Sequence, residues 1–132
     1  MRAFSKPLPG LALVLLTLVG CQRLNVDKKI SLAPNEVQDI IIDAPKSQQQ
    51  VKVVVNSSAS PVDVYVVLEE AQNAVKAKLL ENKRPDPSKV LASELAAESA
   101  TVEATIPAKN EFRILLTGAK KATDVQVKVT GR

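Results

Sequence analysis

Phe112-Arg113-Ile114-Leu115-Leu116-Thr117 is the stretch whose reading decides the fold. In an extended chain, Phe112, Ile114 and Leu116 share one side and Arg113, Leu115 and Thr117 the other, because successive strand side chains point to opposite faces. The same period of two recurs outward in both directions. Val125, Val127 and Val129 alternate with Gln126, Lys128 and Thr130. Upstream, Val51, Val53 and Val55 alternate with Lys52 and Val54, while Val62, Val64, Val66 and Leu68 alternate with Asp63, Tyr65 and Val67. Val102, Ala104 and Ile106 alternate with Thr101, Glu103 and Thr105. Valine and isoleucine suit a pleated, half-buried surface. Lys29–Leu32 and Val37–Ile42 are weaker strand candidates, and Pro34-Asn35, Ser57–Pro61, Pro107 and Gly118 mark turns.

A single segment breaks the pattern. Ala71, Ala74, Val75 and Leu79 recur at helical spacing. Glu69 and Glu70 sit at the start of this segment and Lys76, Lys78 and Lys83 towards its end, an order that complements the helix dipole. Arg84-Pro85-Asp86-Pro87 stops the helix. Such a helix is expected to cross the end of a sandwich and cover its core. Lys89–Ser99 is open to two readings: Leu95-Ala96-Ala97 favours a helix, while Val90-Leu91 favours a strand over Val90–Ser93 followed by a loop, and the strand is preferred. The expected fold is mainly β: an antiparallel two-sheet β-sandwich of about seven or eight strands with one inserted amphipathic helix near 69–83.

The amino-terminal segment carries the localisation. Arg2 and Lys6 form a positive head, Leu11–Val19 an apolar core interrupted only by Thr17, and Leu18-Val19-Gly20-Cys21 closes it. A positive head, a short apolar core and small residues at the cut form a secretory signal. The core is too short for a spanning helix, which needs ~20 residues. Leu18-Val19-Gly20-Cys21 resembles a bacterial lipobox. That resemblance implies a signal peptide over 1–20, a lipid on Cys21, a lipidated tether over 21–27, and one β-sandwich domain over 28–132. Cleavage after Gly20 removes 20 of the 132 residues and leaves 112, enough for one core. Lipoproteins held at the inner membrane commonly carry Asp after the cysteine, and here that residue is Gln22. The resemblance therefore implies a bacterial cell-envelope protein, at the outer membrane and facing the periplasm where two membranes exist.

Composition narrows the function. The chain has no His and no Trp, and its single Cys excludes a disulfide within the chain. Beyond the signal peptide its aromatics are Tyr65 and Phe112. Nucleic-acid or sugar binding by aromatic stacking is therefore not expected. The commonest acid–base side chain and metal ligand is missing. No serine has Lys three residues later, and Ser88-Lys89 are merely adjacent. Asp39 and Asp43 bracket Ile40-Ile41-Ile42, which is a strand pattern and not a chelating loop. No catalytic residue, metal site or cofactor is expected, apart from the covalent lipid.

Charge is unevenly placed. Residues 21–106 carry 10 basic and 12 acidic side chains, and residues 107–132 carry 6 and 2. If Phe112–Thr117 and Val125–Thr130 form a hairpin around Gly118–Thr123, Phe112 faces Val129, Ile114 faces Val127 and Leu116 faces Val125. Arg113 then lies opposite Lys128, with Lys120 and Lys121 at the tip. Directly opposed like charges destabilise a sheet pair, and an acidic neighbour such as Glu103, solvent or a bound anion would relieve them. Arg113, Lys120, Lys121 and Lys128 are thus a candidate contact patch for an acidic envelope protein, a lipid headgroup or an anionic wall polymer.

Val62-Asp63-Val64-Tyr65, Ile106-Pro107-Ala108 followed by Phe112–Leu116, and the closing Val-x-Val-x-Val resemble bacterial pre-peptidase C-terminal modules and related jelly-roll domains over about residues 50–130. Some such modules bind calcium. Here Val62 stands where a paired acidic residue would be expected, and no glycine precedes Phe112, so calcium is not carried over. The expected function is a non-catalytic, lipid-anchored structural or protein-interaction module. An assembly or pilot chaperone for an envelope complex is the alternative, and an envelope hydrolase is a third reading.

Overall fold

Eight strands form where side chains alternate, in the computed structural model, which describes residues 24–131. They are β1 (Asn25–Leu32), β2 (Gln38–Ile42), β3 (Gln49–Ser57), β4 (Val62–Leu68), β5 (Ala92–Ala97), β6 (Ser99–Ile106), β7 (Phe112–Thr117) and β8 (Thr123–Gly131). One antiparallel sheet has the order β1-β8-β3-β6 and the other β2-β7-β4-β5. Consecutive strands mostly change sheets. This interlocked order is that of a jelly roll, two Greek keys wrapped face to face. Cys21 and Gln22 lie outside the described residues.

The inner faces meet in one apolar core. Val51, Val53, Val55, Val125, Val127 and Val129 from the first sheet are fully buried against Val62, Val64, Val66, Phe112, Ile114 and Leu116 from the second. Each such side chain contributes roughly 1.5–3 kcal/mol on burial. Lys28 sits at an inward register position on edge strand β1, opposite Val127, yet stays exposed. An inward charge on an edge strand discourages edge-to-edge pairing with another chain.

The expected β7–β8 hairpin does not form. β7 pairs with β2 and β4, and β8 with β1 and β3. Gly118–Ala122 carries the chain from one sheet to the other, so the two apolar sets face each other across the core. Alternation specifies which side of a strand is buried. It leaves open whether two strands lie side by side or face to face.

The helix also differs from expectation. A 3₁₀ turn over Glu69–Ala71 leads into α1 (Gln72–Leu80). The helix lies on the outer face of the second sheet, where Val75 and Leu79 pack on Tyr65, Val67 and Leu115 as a second small core. It does not cap the sandwich end. Ala74, expected on its apolar face, is exposed, and Gln72 is buried instead. The helix stops before the prolines. Asn82 takes a left-handed φ of 58°, and its N–H donates to the Leu79 carbonyl (3.0 Å), while the Lys83 N–H donates to that of Lys78 (2.9 Å). This pair of bonds is a Schellman ending, with Asn in the place glycine usually holds.

Two boundaries move. Leu24 packs against the core and β1 starts at Asn25, so Asn25–Asp27 belong to the domain and not to the tether. The strand expected over Val90–Ser93 runs instead over Ala92–Ala97. Its register shifts between Val62 and Val64, where Ala96 adopts a φ of 53° and its N–H donates to Asp63 Oδ1 (2.8 Å).

Candidate functional site

The fold scatters the four cations that the sequence groups together. Arg113 lies on the outer face of the second sheet, opposite Ile41 and Val67. Lys128 lies on the outer face of the first sheet, opposite Asp27 and Val54. Only Lys120 and Lys121 stay together, exposed in the β7–β8 connection.

Arg113 is engaged within the fold. Its Nε and Nη2 donate to the two carboxylate oxygens of Glu69 (2.7 and 2.9 Å), and Nη1 donates to Asp39 Oδ2. Lys76 Nζ donates to the same Asp39 oxygen (3.2 Å). Two cations and two carboxylates therefore tie β2, β7, the 3₁₀ turn and α1 together with no net charge. Burial works to raise the Asp39 pKa, but hydrogen bonds and charges from Arg113 and Lys76 outweigh it and hold the carboxyl below its ordinary range. The hydrogen bonds of Arg113 to Glu69, ahead of those to Asp39, keep its guanidinium more firmly protonated than usual. The network clamps the helix to the sheet.

Lys120 and Lys121 belong to a built loop end. The turns after β1, β3 and β7 meet there, at the opposite end of the strands from Asn25. Thr123, buried at the start of β8, is their hub. Its Oγ1 accepts from the Ala59 N–H (2.9 Å) and the Ser60 N–H (3.3 Å) and lies 2.8 Å from Ser57 Oγ. Ser57 donates its own proton to the Ser60 carbonyl, so Thr123 donates to Ser57. Ser60 Oγ accepts from the Lys120 N–H (3.0 Å) and donates to the Pro61 carbonyl (3.1 Å). Glu36 pins the first turn by accepting from the Ala33 N–H (2.8 Å), and its backbone carbonyl accepts from Thr117 Oγ1 (3.0 Å). The loops are held in one geometry, which lowers the entropy a partner's binding would otherwise cost. The sequence marked these segments as turns, but their cross-links join residues up to 81 positions apart and had no local signal.

No family model and no curated protein sequence matches the chain. Among solved structures it is similar to PliG of Aeromonas hydrophila, a periplasmic inhibitor of g-type lysozyme, with a TM-score of 0.52 and 10% identity over 82% of this chain and 86% of that one. It is also similar to PliG of Salmonella Typhimurium, with a TM-score of 0.45 and 14% identity over 82% and 87% of the two chains. At 10% identity, the likeness to the Aeromonas protein is one of fold.

Ser57, Ser60 and Thr123 each exchange hydrogen bonds with backbone groups or one another. Among the described residues, no group of three His, Cys, Asp or Glu side chains is placed to hold a metal ion, and no helix is long and apolar enough to cross a membrane.

Gly118 controls how the Lys120–Lys121 loop leaves β7. Its φ is +81°, and a Cβ there would lie 2.6 Å from Asp63 Oδ2. That carboxylate also receives the Ala96 N–H, so it cannot withdraw freely. Gly118→Ala is expected to cost about 1–2 kcal/mol from the left-handed backbone alone, and more from displacing Asp63. Thermal unfolding of the variant checks this. A melting point equal to the parent's would show that the turn relaxes without strain.

Proposed function

We propose that this chain is a lipid-anchored, non-catalytic binding module of the bacterial cell envelope, presenting its Lys120–Lys121 loop end to a protein partner. The observation that carries this reading is the position of that loop end, at the far end of the strands from the amino terminus. With a lipid on Cys21, the four residue steps to Asn25 reach at most about 14 Å. The amino-terminal end of the sandwich then faces the bilayer. The loop end stands roughly 25 Å further out, the length of β1 at ~3.3 Å per residue. Gln22 after the cysteine favours the outer membrane, facing the periplasm.

The jelly-roll likeness to a periplasmic inhibitor supports a protein as the partner. A cell-wall-cleaving enzyme of the g-type lysozyme class is the first to try. Lys120 and Lys121 form no ion pair among the described residues, so both charges are available to an acidic surface.

Mass spectrometry of membrane-extracted protein is expected to find a chain beginning at Cys21 and carrying diacylglycerol. Crosslinked capture from intact cells, and inhibition of a g-type lysozyme, test the loop end. Lys120→Glu combined with Lys121→Glu should weaken partner capture by about tenfold, as expected for losing two interfacial charge contacts, and the loss should shrink in high salt. Unchanged capture by this variant would overturn the loop-end reading.

A further inference from the structure

A second feature lies away from the loop end, on the helix side of the second sheet. After α1 the chain doubles back through Arg84–Lys89 and leaves a cleft between helix and turn. Ala74, Val75, Pro85 and Pro87 are its apolar lining, and Lys78, Arg84 and Lys89 its cationic one. Val75 is 1% exposed and Pro85 is buried, so the apolar surface open to a ligand is that of the exposed Ala74 and Pro87. The walls are preformed. Prolines on both sides of Asp86 restrict the backbone, and the 3₁₀ turn Pro87–Lys89 is capped by Asp86 itself.

The charge of the lining is unbalanced. Lys76, Lys83 and Arg113 each contact a carboxylate, whereas Lys78, Arg84 and Lys89 form no salt bridge among the described residues. Asp86 is the single carboxylate lining the cleft. It is already used, accepting from the Ser88 N–H (3.0 Å) and the Ser88 hydroxyl (2.9 Å). These bonds, first the backbone one, hold its carboxyl below the ordinary range, with Lys89 and Lys78 adding to the effect.

We infer that this cleft is a second binding site, made for an acidic peptide segment of a protein that seats one aliphatic side chain between Ala74 and Pro87 and its carboxylates against Lys78, Arg84 and Lys89. Charge complementarity selects an acidic ligand. The concave shape between helix and turn selects a peptide: a bare anion gains nothing from Ala74 and Pro87, and a flat bilayer cannot follow the concavity. The site is independent of the loop end and goes beyond the function proposed above.

The test is fluorescence anisotropy of the detergent-solubilised full-length chain with a labelled Asp-Glu-Leu-Glu-Asp peptide. The parent and the Lys120→Glu/Lys121→Glu variant should bind equally, which separates this site from the loop end. Two cleft variants at exposed positions, Ala74→Trp and the triple Lys78→Glu/Arg84→Glu/Lys89→Glu, should each bind about tenfold more weakly. Replacing the peptide's leucine by glycine should cost about fivefold. The proposal is overturned if the parent does not bind the peptide, if neither cleft variant weakens it, or if the leucine is dispensable. It is also overturned if phosphatidylglycerol vesicles, and not the peptide, are captured in a way the triple variant abolishes.

Discussion

Phe112→Ala is expected to lower the unfolding free energy by about 3–5 kcal/mol, the range for deleting a buried aromatic ring. Phe112 is fully buried and, among the described residues, is the one aromatic side chain of the main core. It enters β7 opposite Ile42 of β2 and Leu68 of β4, so its ring joins three strands of one sheet. The surrounding core is rich in valine and isoleucine, whose β-branched side chains are stiff at χ1 and close a void poorly. With no disulfide to hold the chain, a domain of this size has about 5–15 kcal/mol of stability in total. The substitution therefore removes a large fraction of it. Urea unfolding at neutral pH measures the effect, with Phe112→Leu as a milder comparison. A loss below about 1 kcal/mol for the alanine variant would mean that the core rearranges around the void.

Arg113→Met should destabilise by about 1–3 kcal/mol at neutral pH, less than the ~3–5 kcal/mol for breaking a fully buried ion pair. The reduction follows from solvent. The Arg113, Asp39 and Glu69 side chains are 16, 22 and 38% exposed, and water screens what the protein does not. Methionine keeps much of the packing of the arginine stem and removes only the charge and its donors. Two carboxylates are then left with Lys76 as their nearest partner.

The pH dependence separates charge from packing. Asp39 has a depressed pKa in the fold, so its paired carboxylate contributes stability above the ordinary carboxylate range. That contribution disappears as pH falls through the lower folded value. The gap between parent and Arg113→Met should therefore be widest near pH 7 and narrow towards pH 3. Urea unfolding at the two pH values checks it. An equal gap at both would assign the loss to packing, and the ion network would not be its source.

The Arg113 network also explains why the candidate patch was misread. Read from the sequence, Arg113 faced Lys128, with Glu103, solvent or a bound anion to relieve the pair. In the fold, Asp39 and Glu69 come from 74 and 44 residues away to supply the counter-ions. Nothing in the local pattern names either partner. The helix, expected across the end of the sandwich, lies on an outer face for which the sequence does carry a signal. Tyr65, Val67 and Leu115 occupy outward positions of β4 and β7 where polar residues would normally stand. Three apolar side chains on an outer face require a cover, and the amphipathic segment between β4 and β5 is the nearest element available. The cationic cleft was not legible, because Lys78, Arg84 and Lys89 converge only after Asn82 and the two prolines turn the chain back.

Local alternation by itself determined that the chain builds strands, and which side chains of each go inward. It did so because the pleat assigns neighbours to opposite faces and valine gains free energy only on the dry one. Tertiary structure alone decided which strands became hydrogen-bonded neighbours. An apolar face is satisfied equally by a strand beside it or a sheet across from it. The chain crossings of the jelly roll made that choice, and with it sent Arg113 and Lys128 to opposite faces and left Lys120 and Lys121 at the tip.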